Sequence, residues 1–301
     1  MAEIVAHCPL CGSQASRFFD QRQFRGHAVT NRICTTCGLV YQSPHMSAAE
    51  GEAFYEEEYR LLYQGQADPV PTDLAVQRLR AGATLAFIRP WIKQLANTLD
   101  IGSSTGLLLQ QFQAQYQARA VGIEPGELNR QYALDLSLEV HKSLEDLLQT
   151  QPGRFDLISM MHVLEHLVDP VGYLQHLRES LLDPEGWLLL EVPNLYAHDC
   201  FEVAHMTSFS SHTLVQVVRK AGYRPIQLRR HGHPRSQLIP LYITLLARPS
   251  GKQPFQLKPE RLVRFKRQAG FFKRRLYTRL FPQRAWLPVS ELQPEGKLPH
   301  A

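Results

Sequence analysis

The residue types best suited to chemistry stand near the amino end. Cys8-Pro9-Leu10-Cys11-Gly12 and Cys34-Thr35-Thr36-Cys37-Gly38 are two C-x-x-C-G pairs separated by 22 residues. In each, a tight turn aims two thiolates at one centre, and the glycine permits the turn behind them. Two such knuckles supply four thiolates, the donor set of a closed tetrahedral Zn²⁺ site. A closed site keeps no open coordination position, so the zinc it implies is structural. The competing reading, a redox pair, needs a C-x-x-C that opens a helix after a strand, and neither pair does so. A hairpin absorbs the intervening residues. Cys200, the fifth cysteine, reads as a packing residue.

A second group lies in mid-chain. Leu99-Asp100-Ile101-Gly102-Ser103-Ser104-Thr105-Gly106 ends an apolar strand and opens a helix. Its glycines let backbone approach a ligand at the carboxyl edge of a sheet. Glu124 ends the next strand, 24 residues after Asp100. A carboxylate there can accept hydrogen bonds from both hydroxyls of a ribose. The pairing indicates a nucleoside without choosing among cofactors, and an ordinary turn followed by a surface glutamate competes with it. His162, His166 and His205 are candidates for a general base. His162-x-x-x-His166 has helical spacing, but the sequence offers no third ligand, so no metal is expected there.

These groups need a scaffold, and the patterning supplies one. Residues 73–95 read as a helix, 98–102 as a buried strand, 107–118 as a helix, 120–124 as a strand and 127–136 as a helix. Residues 155–161 form an apolar strand, and Asp169-Pro170 opens a helix to Leu182. A turn at Asp183-Pro184-Glu185-Gly186 precedes a strand over 187–192, a helix over 211–221 and strands over 225–230 and 242–247. Strands alternating with helices of this length imply a mostly parallel sheet covered on both faces. Four zones follow: a zinc ribbon over 1–45, a helical cap or linker over 46–72, the α/β domain over 73–250, and a basic segment over 251–301.

Several stretches, in order, carry a family resemblance. They are Leu99 to Gly106, Gly122-Ile123-Glu124-Pro125, Phe155 to Pro170, and Gly186 to Asn194. Residues 73–250 resemble a class I S-adenosylmethionine-dependent methyltransferase. The resemblance implies a Rossmann-like, mostly parallel seven-stranded sheet with helices on both faces. It implies that Asp100, Gly102, Ser104 and Gly106 line the methionine end of S-adenosylmethionine, with Ser104 where the family often has a third glycine. Glu124 would hold the ribose, Ser143-Leu144-Glu145 the adenine, and Met161 and His162 would sit by the sulfonium and the acceptor. With the methyl group already on a positive sulfur, catalysis is mainly alignment at about 3–3.5 Å, plus a base where the acceptor loses a proton. His205-Met206-Thr207-Ser208-Phe209-Ser210 resembles the H-x-x-x-F-S/T segment of small-molecule and sugar methyltransferases, which makes His205 the first candidate for the base. With the cysteine ribbon added, the chain resembles bacterial sugar methyltransferases, including deoxysugar C-methyltransferases. Those carry an acidic residue beside the histidine; Ala204-His205 departs from that and points to O-methylation. Tyr55 and Tyr59 resemble a helix that closes over the cofactor in related enzymes, against the reading of a plain amphipathic helix.

Charge divides the chain. The net charge is +5, but residues 251–301 hold twelve basic and three acidic residues, a net +9, which leaves −4 for the rest. Residues 261–281 place Leu262, Phe265, Ala269, Phe272, Leu276 and Leu280 at helical steps among arginines and lysines, interrupted by Gly270. Three readings compete: an apolar stripe packed on the catalytic domain, contact with an anionic membrane surface, and contact with nucleic acid. Methyl transfer to a small molecule or saccharide leads among functions. An RNA methyltransferase is the enzymatic alternative, against which Val192-Pro193-Asn194-Leu195 is no N-P-P-Y/F tetrapeptide, and a silent binding module is the other. No apolar run approaches the ~18 residues that span a bilayer. The first ten residues lack the pattern of a secretory leader, so a reducing, cytoplasmic setting is expected.

Overall fold

The two cysteine pairs flank a hairpin, β1 (Ser16–Phe24) and β2 (His27–Cys34), followed by a short strand β3 (Val40–Gln42). In this computed structural model the described residues are 3–46, 50, 71–250 and 255–288. Of the expected helical cap or linker over 46–72, only Met46, Glu50, Pro71 and Thr72 are among them, and Tyr55 and Tyr59 fall outside.

The α/β part begins with α1 (Pro71–Ile88). It stops seven residues short of the expected Leu95 because Pro90 disfavours helical backbone at Arg89. Next come β4 (Asn97–Ile101), α2 (Leu107–Tyr116), β5 (Arg119–Ile123) and α3 (Glu127–Asp135). The next two elements, β6 (Glu139–His141) and α4 (Leu144–Gln149), are too short to show a hydrophobic period, and sequence reading passed over them. Then follow β7 (Phe155–Met161), α5 (Pro170–Ser180) and β8 (Leu182–Pro193). Asp183 to Gly186, expected as a turn, belongs to β8: Phe155 pairs with Leu182 and Leu157 with Trp187, so the extra residues bulge out of a continuous strand. The two-residue strand β9 (Thr207–Ser208) follows, and α6 (Ser211–Lys220), β10 (Tyr223–His231) and β11 (Tyr242–Pro249) complete this part.

Seven strands make one sheet in the order β10-β11-β8-β7-β4-β5-β6. The five from β8 to β6 run parallel, and β11 joins antiparallel to both β8 and β10. Leu99, Ile158, Leu188, Leu190 and Leu245 are fully buried, as central strands covered on both faces require. The chain order reverses on either side of β4, and the carboxyl ends of β4 and β7 diverge there into the loops that build the site.

The cysteine-bearing segment is continuous with this body. β9 lies after β8 in the chain, yet it pairs with β3, Val40 opposite Ser208 and Tyr41 opposite Thr207, and completes a four-stranded sheet with β1 and β2. Leu10, Leu39, Cys8 and Cys34 share one apolar core with the central strands. The basic segment folds as α7 (Val263–Leu280) and α8 (Pro282–Ala285). Just before it, Glu260 is a junction. Its N–H donates to the Cys37 carbonyl at 2.9 Å, and its carboxylate accepts from Tyr196 at 2.7 Å and Ser210 at 2.5 Å.

Candidate functional site

At the amino end, each knuckle closes with a backbone bond, Gly12 N–H to the Cys8 carbonyl and Gly38 N–H to the Cys34 carbonyl, both 2.9 Å. The four Sγ atoms lie within 4.8 Å of one another, with Cys8–Cys37 and Cys11–Cys34 both at 3.5 Å. Zinc with bonds of about 2.3 Å holds its sulfurs about 3.8 Å apart, so the set fits that ion. Contact with Cys34 pushes the Cys8 thiol up to about 12 and raises Cys37 as well, because buried thiols facing one another cannot all ionise. A divalent cation removes that obstacle.

The larger site is a cavity of about 780 Å³ at the carboxyl edge of β4, β5 and β7. Gly102 opens it with φ +75°, and a Cβ there would strike Val163 across the turn. Glu124 closes β5. Its Oε2 accepts the Ser104 N–H at 2.8 Å and its Oε1 the Gly126 N–H at 2.9 Å, so the backbone fixes the carboxylate at the cavity wall. Asp100 is buried beside it and accepts the Ser159 hydroxyl at 2.6 Å; burial pushes its carboxyl up to about 7. Ser143 caps α4 by accepting the Asp146 N–H at 3.2 Å, which sets Ser143, Leu144 and Glu145 along the cavity's far side.

Of the residues expected at the cofactor, Asp100, Gly102, Ser104, Glu124, Ser143, Leu144, Glu145, Met161 and His162 all line this cavity. Gly106 does not; it stands behind the loop against Leu138 and Ala133. Two buried oxygens, Ser103 Oγ and Asn129 Oδ1, belong to lining residues and have no hydrogen-bond partner among the described residues. Orphaned polar atoms beside a concave, mixed-polarity cavity suit a polar ligand with an apolar edge, which a nucleoside is.

The acceptor end is built around buried carboxylates. His162, just past β7, has φ +60°, an unfavourable backbone for a histidine. Its Nδ1 lies 3.4 Å from Glu165 and its Nε2 3.2 Å from Glu191. Burial and Arg80 push its pKa down, but the two carboxylates outweigh them and the net direction is up. Glu191 is 2% exposed and also meets His231 at 3.2 Å, Thr244 at 2.9 Å and Arg80 at 3.5 Å. Despite burial, those contacts hold its carboxyl well below the usual range. Tyr242 packs edge-on to His162 at 5.1 Å and under the Arg80 guanidinium at 5.2 Å.

His166 and His205 form a neighbouring pair. The segment Leu164–His166 is one 3₁₀ turn, so His162 and His166 diverge instead of sharing a helix face. His166 lines the cavity, its Nδ1 2.9 Å from the Ala204 carbonyl. His205 does not line it. Its ring packs 4.9 Å behind that of His166, its Nδ1 2.9 Å from the Cys200 carbonyl. Burial lowers both histidines, His166 to about 4. Glu165, the residue before His166, brings its carboxylate within 4.8 Å of a ring nitrogen of each histidine, so a third titratable group does join the pair.

Sequence reading missed Glu165, Glu191, Arg80 and Tyr242. One signal was present: Glu191 interrupts the apolar run Leu188-Leu189-Leu190-Glu191-Val192, and a charge inside a buried strand needs partners. Arg80 and Tyr242 gave no signal, because only the fold brings α1 and β11 together.

The residues that build this sheet and its cavity match a known family. The chain belongs to the methyltransferase-domain family, whose model matches residues 75–228, about half of its length. It is 36% identical over 86 residues to a ubiquinone biosynthesis O-methyltransferase of Xanthomonas campestris pv. campestris, covering 27% of this chain and 36% of that protein. A Serratia proteamaculans protein of the same name is 30% identical over 83 residues, covering 26% and 34%. The chain thus spans about a third of the length of these curated relatives. A solved structure of 1,6-didemethyltoxoflavin-N1-methyltransferase from Burkholderia thailandensis, with 1,6-didemethyltoxoflavin and S-adenosylhomocysteine bound, superposes with a TM-score of 0.57 at 17% identity. It covers 77% of this chain and all of that one, and establishes a common fold.

Proposed function

We propose that the protein transfers a methyl group from S-adenosylmethionine to an oxygen of a small-molecule or saccharide acceptor. The observation that carries this reading is the juxtaposition, in one cavity, of a ribose-type carboxylate at Glu124 with the histidines His162 and His166 beside Met161. The cofactor supplies an electrophilic methyl on a sulfonium. Asp100, Gly102, Ser104 and Glu124 bind and orient it, with Ser143, Leu144 and Glu145 at the adenine. Gly106 serves them by packing the loop.

His166 is the residue placed to take the acceptor proton. Burial favours the neutral ring, the form that can accept a proton, and its Nδ1 lies 2.9 Å from the Ala204 carbonyl. His205, from the segment after β8, acts behind it as a positioning residue. His162 holds charge and geometry: both its ring nitrogens face carboxylates, which suits an orienting post better than a proton acceptor. Arg80 and Arg235 also line the cavity and favour an acceptor that carries negative charge. The zinc ribbon is structural in this reading, since its strand β3 pairs with β9, which begins two residues after His205.

Labelled S-adenosylmethionine incubated with a panel of hydroxylated small molecules, saccharides and ribonuclease-treated or untreated extract tests the proposal. Label in a ribonuclease-resistant small product supports it. Label confined to RNA replaces it with the nucleic-acid reading, and cofactor binding without transfer to any fraction favours a binding module.

A further inference from the structure

A helix lying on a globular domain ordinarily buries its apolar stripe and leaves its charges in water. Helix α7 does the reverse. Its inner face carries Val263, Arg267, Gly270, Arg274 and Tyr277. Arg267 donates to the Leu195 carbonyl and lies 4.0 Å over the Phe201 ring, and Arg274 donates to the Ala197 carbonyl at 2.9 Å. Gly270 is needed because a Cβ would strike the Tyr196 carbonyl. The stripe that sequence periodicity singled out points the other way: Phe265 is 67% exposed, Phe272 68%, Leu276 41% and Leu280 57%.

What covers such a face follows from its borders. Lys266 and Lys273 flank the stripe on one side, Arg264, Arg275 and Arg279 on the other, and no acidic residue occurs between Arg261 and Phe281. A concavity of about 360 Å³ beside it is lined by Arg274, Arg275, Thr278, Arg279 and Trp286. Protruding phenylalanines bordered by cations match a surface that is hydrocarbon beneath and anionic at the headgroups. Nucleic acid would use the cations and leave the phenylalanines in water.

We propose that α7 is an interfacial anchor for an anionic phospholipid bilayer. Phe265, Phe272, Leu276 and Leu280 enter the acyl boundary, while Lys273, Arg275 and Arg279 meet headgroup phosphates. Because α7 rests on Leu195 to Ala197, directly after β8, it lies at the carboxyl edge of the sheet, the edge that also carries the cavity. Anchoring therefore brings that edge to the lipid surface.

The test is sedimentation of the full chain with vesicles of phosphatidylcholine alone or with about 30% phosphatidylglycerol. Binding to the anionic vesicles is expected, weaker by about tenfold or more on neutral ones or at high salt. The double variants Phe265→Asp/Phe272→Asp and Arg275→Gln/Arg279→Gln should each lose about tenfold or more while keeping their unfolding temperature and cofactor affinity. A folded wild type that stays in solution with anionic vesicles overturns the proposal. So does a phenylalanine variant that binds vesicles normally, or one that instead converts a wild-type dimer to a monomer by light scattering. RNA binding lost only in the arginine variant, with no vesicle binding, also overturns it.

Discussion

Replacing Glu124 tests the cofactor site at the point where the structure is most explicit. Its two oxygens each take one backbone N–H, from Ser104 at 2.8 Å and Gly126 at 2.9 Å. A carboxylate oxygen can accept more than one donor, and the proposed role gives Glu124 two ribose hydroxyls to hold. Each such charge-assisted bond contributes about 1.5–3 kcal/mol. Glu124→Ala removes both, a loss of about 3 kcal/mol or more, which is about a hundredfold in Kd. Two backbone N–H groups also lose their acceptor, but both line the cavity and water can reach them. The cost in stability is therefore expected at about 1 kcal/mol, a few degrees in unfolding temperature. Glu124→Gln keeps the shape but turns an NH₂ toward one of the two backbone donors, and should weaken binding by about tenfold or more. S-adenosylhomocysteine carries the same ribose, so both ligands should weaken by the same factor in isothermal titration. A Glu124→Ala protein that unfolds normally and binds within threefold of wild type would refute the assignment.

Elemental analysis should find about one zinc per chain, absent in Cys8→Ser and Cys34→Ser. Because β3 pairs with β9, chelation should lower the unfolding temperature of the α/β part as well, and a metal-free protein with unchanged unfolding contradicts this. His162 has a raised pKa, so the stability it contributes should be complete below about 6.5 and lost as pH rises through its folded value. Denaturant unfolding of wild type and His162→Gln should converge at alkaline pH, and a gap that persists there rules the ion pairs out as its source. His166 is depressed to about 4, so the folded state should lose stability as pH falls from about 6.5 toward 4, a loss that His166→Gln diminishes. His166→Ala should keep cofactor affinity and lose turnover by about a hundredfold or more, whereas His205→Gln, acting at one remove, should lose less. Gly270→Ala forces α7 away from Tyr196 and should increase protease cleavage in residues 263–280; equal cleavage would mean that the helix is not held there.

The parts of this protein that were legible in its sequence are those fixed by local spacing. A C-x-x-C-G knuckle, a glycine turn after an apolar strand and a glutamate at the end of the next strand are each set by a few consecutive residues. The same holds for β7, whose apolar run matches its observed bounds, and for the parallel architecture, which follows from alternating strand and helix periods. Elements too short to show a period, β6 and α4, were not legible, nor was the bulge that keeps Asp183 to Gly186 inside β8.

Long-range contacts account for the rest. Glu191 draws Arg80 from α1, His162 from the loop after β7, His231 from the end of β10 and Thr244 from β11, and no local pattern announces such a meeting. His162 and His166 looked like one helical face, but a 3₁₀ turn sends them to different partners. For α7 the helix and the stripe were both legible in the sequence, since both are functions of spacing along 18 residues. It could not say which side would dock. That was decided by the shape of the surface at Leu195 to Ala197, where arginines that reach backbone carbonyls and a glycine without a side chain fit more closely than phenylalanines do.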